Sequence, residues 1–249
     1  MTPYTRRDLT IISTGDICLV IACDTCGGVG IKDSDILKLP PRYVGKLTTR
    51  VALSEVMCAG ATPSVIVNGV SCEMNPTGAE IIQGIRDELE NAGISNITMT
   101  GSTEDNFTTN MTALSVTIIG TVHINSLKFG RAVIGDKFIL LGSPQLGPKV
   151  DLEYKGFYSE INSLLKLHDV IEIVPVGSKG IAHEVETLAN LNNSAYQLYE
   201  TGVDYNKSAG PATCLVVLCS KTAVSHIQST FQSSVCIGEI VYPNPVSLL

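Results

Sequence analysis

The sequence predicts a mixed α+β fold in two domains, on three observations. Short β-branched and apolar runs, beginning with Leu9 to Ser13 and Ile17 to Cys23, alternate with longer stretches in which apolar residues recur at helical spacing. The pattern resets between Gly130 and Asp136, which divides the chain into residues 1–131 and 132–249. With 249 residues, 44% of them hydrophobic, each part can bury a core of its own.

The elements follow in order. Thr14-Gly-Asp16 is turn chemistry between the first two strands, and a glycine-rich loop comes directly after the second. From Pro41 to Gly60 the residues Val44, Leu47, Val51, Val56 and Ala59 mark one face of an amphipathic helix, opened by proline and closed by glycine. Ser64 to Cys72 reads as a strand. Thr77-Gly-Ala-Glu80 has the pattern of a capping box, opening a helix through Ile81, Ile82, Ile85 and Leu89 that stops at Gly93. Asn96 to Thr100 and Thr112 to Val122 are strands, separated by the polar, acidic loop Gly101-Ser-Thr-Glu-Asp-Asn106. In the second part, strands at Lys137 to Leu141, Val170 to Pro175, Thr213 to Cys219 and Val235 to Val241 alternate with helices at Tyr158 to Leu167, Gly180 to Leu191 and Thr222 to Gln232. That order implies a smaller α/β layer.

Composition removes several function classes. The net charge of -7 and the absence of any Lys/Arg-rich run argue against nucleic acid as a partner. No apolar stretch approaches the roughly 20 residues needed to span a bilayer, and no signal-peptide core follows the first residues, so a soluble, cytoplasmic chain without a membrane partner is expected. Of eight cysteines, Cys18, Cys23, Cys58, Cys72, Cys214 and Cys219 lie in apolar runs where a reduced thiol simply packs. Cys23-Asp-Thr-Cys26 has the spacing of half a zinc or redox site, but no second pair completes it.

Three segments carry chemistry. In Ile21-Ala-Cys-Asp24-Thr-Cys-Gly27-Gly28-Val-Gly30-Ile-Lys32 a strand that ends in an aspartate runs into glycines with a lysine behind them. Glycines let backbone N–H groups approach phosphate oxygens, lysine supplies a point charge, and aspartate can hold Mg²⁺. The spacing is neither that of a Walker A loop nor of a Rossmann fingerprint, and a purely structural turn fits the glycines equally well. The second segment is the helix carrying Glu55 ahead of Gly60-Ala61-Thr62-Pro63; its carboxylate is either solvated or an inward-facing metal ligand. The third is the loop with Glu104 and Asp105, which read alone is an ordinary polar turn.

Together these segments resemble the superfamily of aminoimidazole-ribotide synthetase (PurM-like), which includes thiamine-phosphate kinase, selenophosphate synthetase and an ATP-binding hydrogenase maturation factor. The family's Asp-Gly-Val-Gly-Thr-Lys-like loop is matched by Asp24 to Lys32, its acid before Gly-Ala-x-Pro by Glu55, and its Gly-Gly-Glu/Asp-Thr loop by Gly101 to Glu104 with the acid displaced. Gly15-Asp16 is similar to part of the Gly-Asp-Asp of thiamine-phosphate kinase, and Val176-Gly-Ser-Lys-Gly180 to the glycine-rich helix start of the second domain. The resemblance implies a homodimer whose N-terminal sheets form a shared barrel, with ATP and Mg²⁺ as cofactors. It implies Gly27, Gly28, Gly30, Lys32, Gly101, Ser102 and Thr103 as ATP-binding, Asp16, Asp24, Glu55, Glu104 and Asp105 as metal-binding, and Asp24 and Lys32 as catalytic. Within the superfamily the chain is most similar to the α-ribazole kinase branch, which implies phosphorylation of the 5′-hydroxyl of a nucleoside-like substrate. An amide-activating ligase, a thiamine-phosphate kinase and a noncatalytic nucleotide-binding regulator are the alternatives.

Overall fold

The computed structural model describes residues 3–243. The chain divides into two compact units, one running to Leu127 and including Asp151–Tyr158, the other comprising Lys128–Val150 and the residues from Ser159 onward. Among the described residues no helix is long and apolar enough to cross a membrane.

In the first unit the strands are β1 (Tyr4–Arg6), β2 (Leu9–Thr14), β3 (Ile17–Gly27), the short pair β4 (Val29–Gly30) and β5 (Leu37–Lys38), β6 (Thr62–Val70), β7 (Thr98–Thr103) and β8 (Ala113–His123). Six of them form one sheet in the order β1-β2-β3-β8-β6-β7. Period-two alternation sorts their side chains. Cys18, Val20 and Ala22 of β3, Leu114, Val116 and Ile118 of β8, and Ile66 and Val70 of β6 are buried on one face, which helix α1 (Pro41–Cys58) covers. Helix α2 (Ala79–Asn91) packs in turn on α1. The two helices cross at two glycines that cannot be replaced. A Cβ at Gly45 would stand 2.0 Å from the carbonyl oxygen of Ile81, and one at Gly84 only 1.8 Å from that of Arg42.

At the same crossing Arg50 and Glu88 form a fully buried pair: Arg50 Nε donates to Glu88 Oε1 at 2.6 Å and Nη2 to Oε2 at 3.1 Å. Tyr158 donates its hydroxyl to the same carboxylate at 2.6 Å, and Arg50 Nη2 also reaches the Tyr154 carbonyl at 2.6 Å. These contacts hold Asp151–Tyr158 in the first unit.

The second unit has a five-stranded, wholly antiparallel sheet in the order β10-β12-β9-β13-β11, with β9 at Lys137–Gly142, β10 at Val170–Pro175, β11 at Ala195–Leu198, β12 at Cys214–Cys219 and β13 at Ser234–Val241. Helices α3 (Tyr158–Leu165), α4 (Ile181–Leu191) and α5 (Val224–Thr230) accompany it. Phe138, Leu140, Val174, Val185, Leu188, Val216 and Ile237 make its core.

Three expectations need correction. The second strand does not stop at Cys23 but continues through Asp24 to Gly27, because β8 pairs with it residue for residue to Ala113. The capping box at Thr77 does not form: the Thr77 hydroxyl donates to the Glu73 carboxylate, and the residues Met74–Gly78 make a wide turn before α2. The segment expected as a loop from Gly101 is strand as far as Thr103, paired in parallel with β6. All eight cysteines are free thiols, as expected, although Cys23 is exposed. Three residues apart on one strand, Cys23 and Cys26 lie on opposite faces and do not make a half-site.

Candidate functional site

Strand register assembles the site. Cys26 pairs with Leu114, Leu114 with Val70, and Val70 with Thr103, so β3, β6 and β7 end in one row at the same edge of the sheet. The glycine loop after Gly27, the turn after Val70 and the acidic loop after Thr103 all leave that edge, and β8 enters there. The carboxyl edge of strands running in one direction is the usual ligand-binding edge of sheets covered by helices.

The loops are tied to one another. Gly28 N–H donates to the Thr112 carbonyl at 2.9 Å, Ser34 N–H to that of Asn110 at 2.9 Å, and Glu104 N–H to that of Cys72 at 2.9 Å. The buried Asp35 closes the glycine loop: its carboxylate accepts from Lys32 N–H at 2.9 Å, Thr112 N–H at 2.8 Å and the Thr112 hydroxyl at 2.7 Å. Burial alone would raise its pKa, yet the Thr112 and Lys32 hydrogen bonds outweigh it and hold the carboxyl below the usual range. Gly30 lies against this knot, where a Cβ would stand 2.2 Å from Thr112 Oγ1 and 2.5 Å from Asp35 Oδ2.

Lys32 turns from the loop toward Glu73, with Nζ 2.6 Å from Oε2 and only 15% of the lysine side chain exposed. Glu73 also accepts from Thr77. Burial works against its charge, but the Lys32 and Thr77 hydrogen bonds bring its pKa down to about 2. The following residue, Met74, donates its N–H to Asp105 at 2.9 Å, and Thr103 donates its hydroxyl to the other Asp105 oxygen at 2.7 Å. Glu73 and Asp105 are thus neighbours, and each raises the cost of the other's charge.

Of the residues expected from sequence, the structure brings Gly27, Gly28, Gly30, Lys32, Ser102, Thr103, Glu104 and Asp105 to this edge, with Asp24 two residues below the final row of β3. Gly101 is there for packing: a Cβ would meet the buried Asn68 amide at 2.3 Å. The Glu104 carboxylate folds back onto the amides of Asn106 and Phe107, at 2.8 and 3.2 Å. Two residues lie elsewhere. Asp16 stands at the opposite end of β3, eight residues and about 26 Å from Asp24 along the strand. The nearly buried Glu55 is paired with Arg7 at 2.8 Å. Asp35 and Glu73 were not singled out from sequence. Asp35 had a legible signal, a carboxylate inside a glycine loop; Glu73 had none, because its partner is 41 residues away.

Among the described residues no three His, Cys, Asp or Glu side chains stand together as a self-sufficient metal site. Asp24 is nevertheless suited to a hard cation. It lies on the buried face of β3, burial raises its pKa to about 6, and the Thr25 backbone hydrogen bond offsets this only in part. A divalent ion would supply the opposite charge that this carboxylate lacks.

Residues 7–122 match the family model AIR synthase related protein, N-terminal domain. No curated protein matches the chain in sequence. Among solved structures it is similar to the hydrogenase maturation protein HypE of E. coli, at 17% identity and a TM-score of 0.69 over 90% of this chain and 80% of that one. It is similar also to T. maritima PurL complexed with ADP, at 15% identity and 0.72 over 97% of this chain and 43% of that one, and to PurL complexed with AMPPCP, at 15% and 0.69 over 93% and 42%. The chain spans about two fifths of the PurL chains it matches. The domain match spans the strands that build the site, and the architecture of both units is shared with HypE and PurL, so the chain has a mixed α/β, PurM-like fold.

Proposed function

We propose that this protein binds ATP with Mg²⁺ at the carboxyl edge of the first sheet and transfers the γ-phosphoryl group to the 5′-hydroxyl of an α-ribazole-like riboside. The observation that carries the reading is the convergence, by strand register, of the glycine loop, the partly sheltered Lys32 and the carboxylates of Glu73, Asp105 and Asp24. T. maritima PurL, solved with ATP, ADP and AMPPCP, supports nucleotide binding on this fold.

On this reading the phosphate groups lie against the Gly27–Gly30 loop, whose Gly28 N–H is already held by the Thr112 carbonyl, and against Ser102–Thr103, and Lys32 adds a point charge against the terminal phosphates. Asp24 and Asp105 contribute ligands to Mg²⁺, which neutralises the polyphosphate and the charge developing in the transition state. The hydroxyl oxygen of the acceptor bonds to the γ-phosphorus as the bond to the β,γ-bridging oxygen breaks; ADP takes that electron pair and the hydroxyl proton passes to water. The chain's contribution is positioning and charge.

The open face of the sheet supports a homodimer. Cys23, Thr25 and Val67 are exposed there, and Leu19, Ile21 and Ile119 are only half-covered. A second copy laying the same face against it would bury a mainly aliphatic surface, in keeping with a sequence that has no tryptophan.

The experiment is mass spectrometry after incubating the protein with ATP, Mg²⁺ and a mixture of α-ribazole, thiamine phosphate and ordinary nucleosides. Phosphorylated α-ribazole that disappears in Asp24→Asn supports the kinase. The similarity to PurL, phosphoribosylformylglycinamidine synthase II, favours amide activation as the second reading. Metal-dependent ATP binding with no phosphorylated acceptor would replace the first reading with that one.

A further inference from the structure

The charge around the nucleotide edge is the wrong sign for a polyphosphate. Lys32 and Lys38 face Asp33, Glu73, Glu104 and Asp105 on the three loops that meet there. Lys38 is committed to backbone: its Nζ donates to the carbonyls of Lys32, at 2.6 Å, and Asp33, at 3.3 Å. Lys32 is therefore the cation best placed for an incoming phosphate, and Glu73 already holds it at 2.6 Å.

Given the nucleotide-binding reading above, we infer that Glu73 is a selectivity residue: by neutralising Lys32 it makes the loop reject metal-free di- and triphosphates and accept only their divalent-cation complexes. A free polyphosphate brings three to four negative charges and meets a lysine whose charge Glu73 already offsets. A magnesium complex brings its own counter-charge, so it neither needs the whole of Lys32 nor suffers the full repulsion of Glu73 and Asp105. Glu73 still leaves the lysine useful. An ammonium has three N–H donors, of which Glu73 takes one, and its direction is fixed because Thr77 holds the other oxygen of the carboxylate. Glu73 thus positions the lysine and sets the charge it presents.

The wild-type protein provides the first test, by titration calorimetry of ADP in Mg²⁺ and of ADP in EDTA. We expect Mg²⁺–ADP to bind at least tenfold more tightly, and equal affinities would overturn the inference. The second test is Glu73→Gln, which keeps the size and the Thr77 contact but removes the charge. It should gain about tenfold for ADP in EDTA and change less than about threefold for Mg²⁺–ADP, a redistribution that loss of a purely structural contact would not produce. The gain should vanish in Lys32→Met/Glu73→Gln relative to Lys32→Met. A Glu73→Gln variant with wild-type thermal stability and no gain in EDTA, or a gain that persists without Lys32, overturns the role assigned to Glu73. Failure of the wild type to bind ADP in either buffer overturns the nucleotide-binding reading itself, and this inference with it.

Discussion

Asp24→Asn should make the protein more stable and less able to bind nucleotide. The reason is the cost of keeping this carboxylate charged. Its pKa rises from the ordinary aspartate value to about 6, chiefly because it is buried on the helix-covered face of β3. In the unfolded chain the group loses its proton near pH 4, in the folded chain near pH 6, so between these values the native state binds more protons and stability falls as pH rises. Two pH units at about 1.4 kcal/mol each set an upper bound of about 3 kcal/mol, which residual solvent contact reduces to about 1–2 kcal/mol. Asparagine does not pay this cost at any pH. At pH 8 in EDTA the variant should melt about 2–8 °C above wild type. At pH 4.5, where wild-type Asp24 is largely protonated in the fold, the difference should nearly close. Calorimetric melts at the two pH values decide the matter, and a variant equally stabilised at both, or at neither, refutes the reasoning. In the same variant Mg²⁺–ADP should no longer raise the melting temperature.

Three further outcomes follow. Gly30→Ala should abolish nucleotide binding and cost about 2–3 kcal/mol, because its Cβ would invade the Asp35–Thr112 knot, whereas Gly27→Ala, with nothing within 4 Å of its Cβ, should melt within about 1 °C of wild type. Glu88→Ala strands Arg50 without its buried partner and should cost about 3–5 kcal/mol; limited proteolysis should then cut within residues 151–158, which the Arg50 contact to Tyr154 helps to hold. Asp35→Asn should lose about 1–3 kcal/mol at pH 7 in denaturant melts. Because the folded pKa of Asp35 lies below the unfolded one, its contribution is present above about pH 4 and is lost as pH falls further, so the gap between variant and wild type should narrow in acid.

What could be read from sequence was what depends on local pattern. The strands and helices announced themselves through spacing, and most ends fell within a few residues of the structure. The glycine loop with Asp24 and Lys32 was visible because its elements are contiguous. Glu73 was invisible because its significance comes from where β6 ends relative to β3, which no local pattern encodes. Asp16 was misleading for the converse reason: it is close to Asp24 in sequence, but an intervening extended strand carries it to the far edge of the sheet. Glu55 has the spacing of an inward-facing acid and is nearly buried, yet the charge it meets is Arg7, 48 residues earlier.

The relocation of Asp16 and Glu55 changes what the site can do with a metal. The sequence offered five acids for Mg²⁺; at the carboxyl edge the candidate ligands are Asp24 and Asp105. The two Asp105 oxygens each accept a single neutral donor, Met74 N–H and the Thr103 hydroxyl, and keep a lone pair, whereas Glu104 turns Oε1 back onto two backbone amides and Glu73 is held by Lys32 and Thr77. Two carboxylates do not fill an octahedral shell, so an ion held here must draw its remaining ligands from phosphate oxygens and water, as Mg²⁺ commonly does. Metal and nucleotide should therefore bind together: each supplies what the other lacks, the ion the positive charge and the polyphosphate the oxygens. Free Mg²⁺ at millimolar concentration should leave the melting temperature of the wild type within about 1 °C of its value in EDTA, while Mg²⁺ with ADP raises it by several degrees. A comparable rise with Mg²⁺ alone would mean that the chain holds the ion by itself, and that the two-ligand account of this edge is wrong.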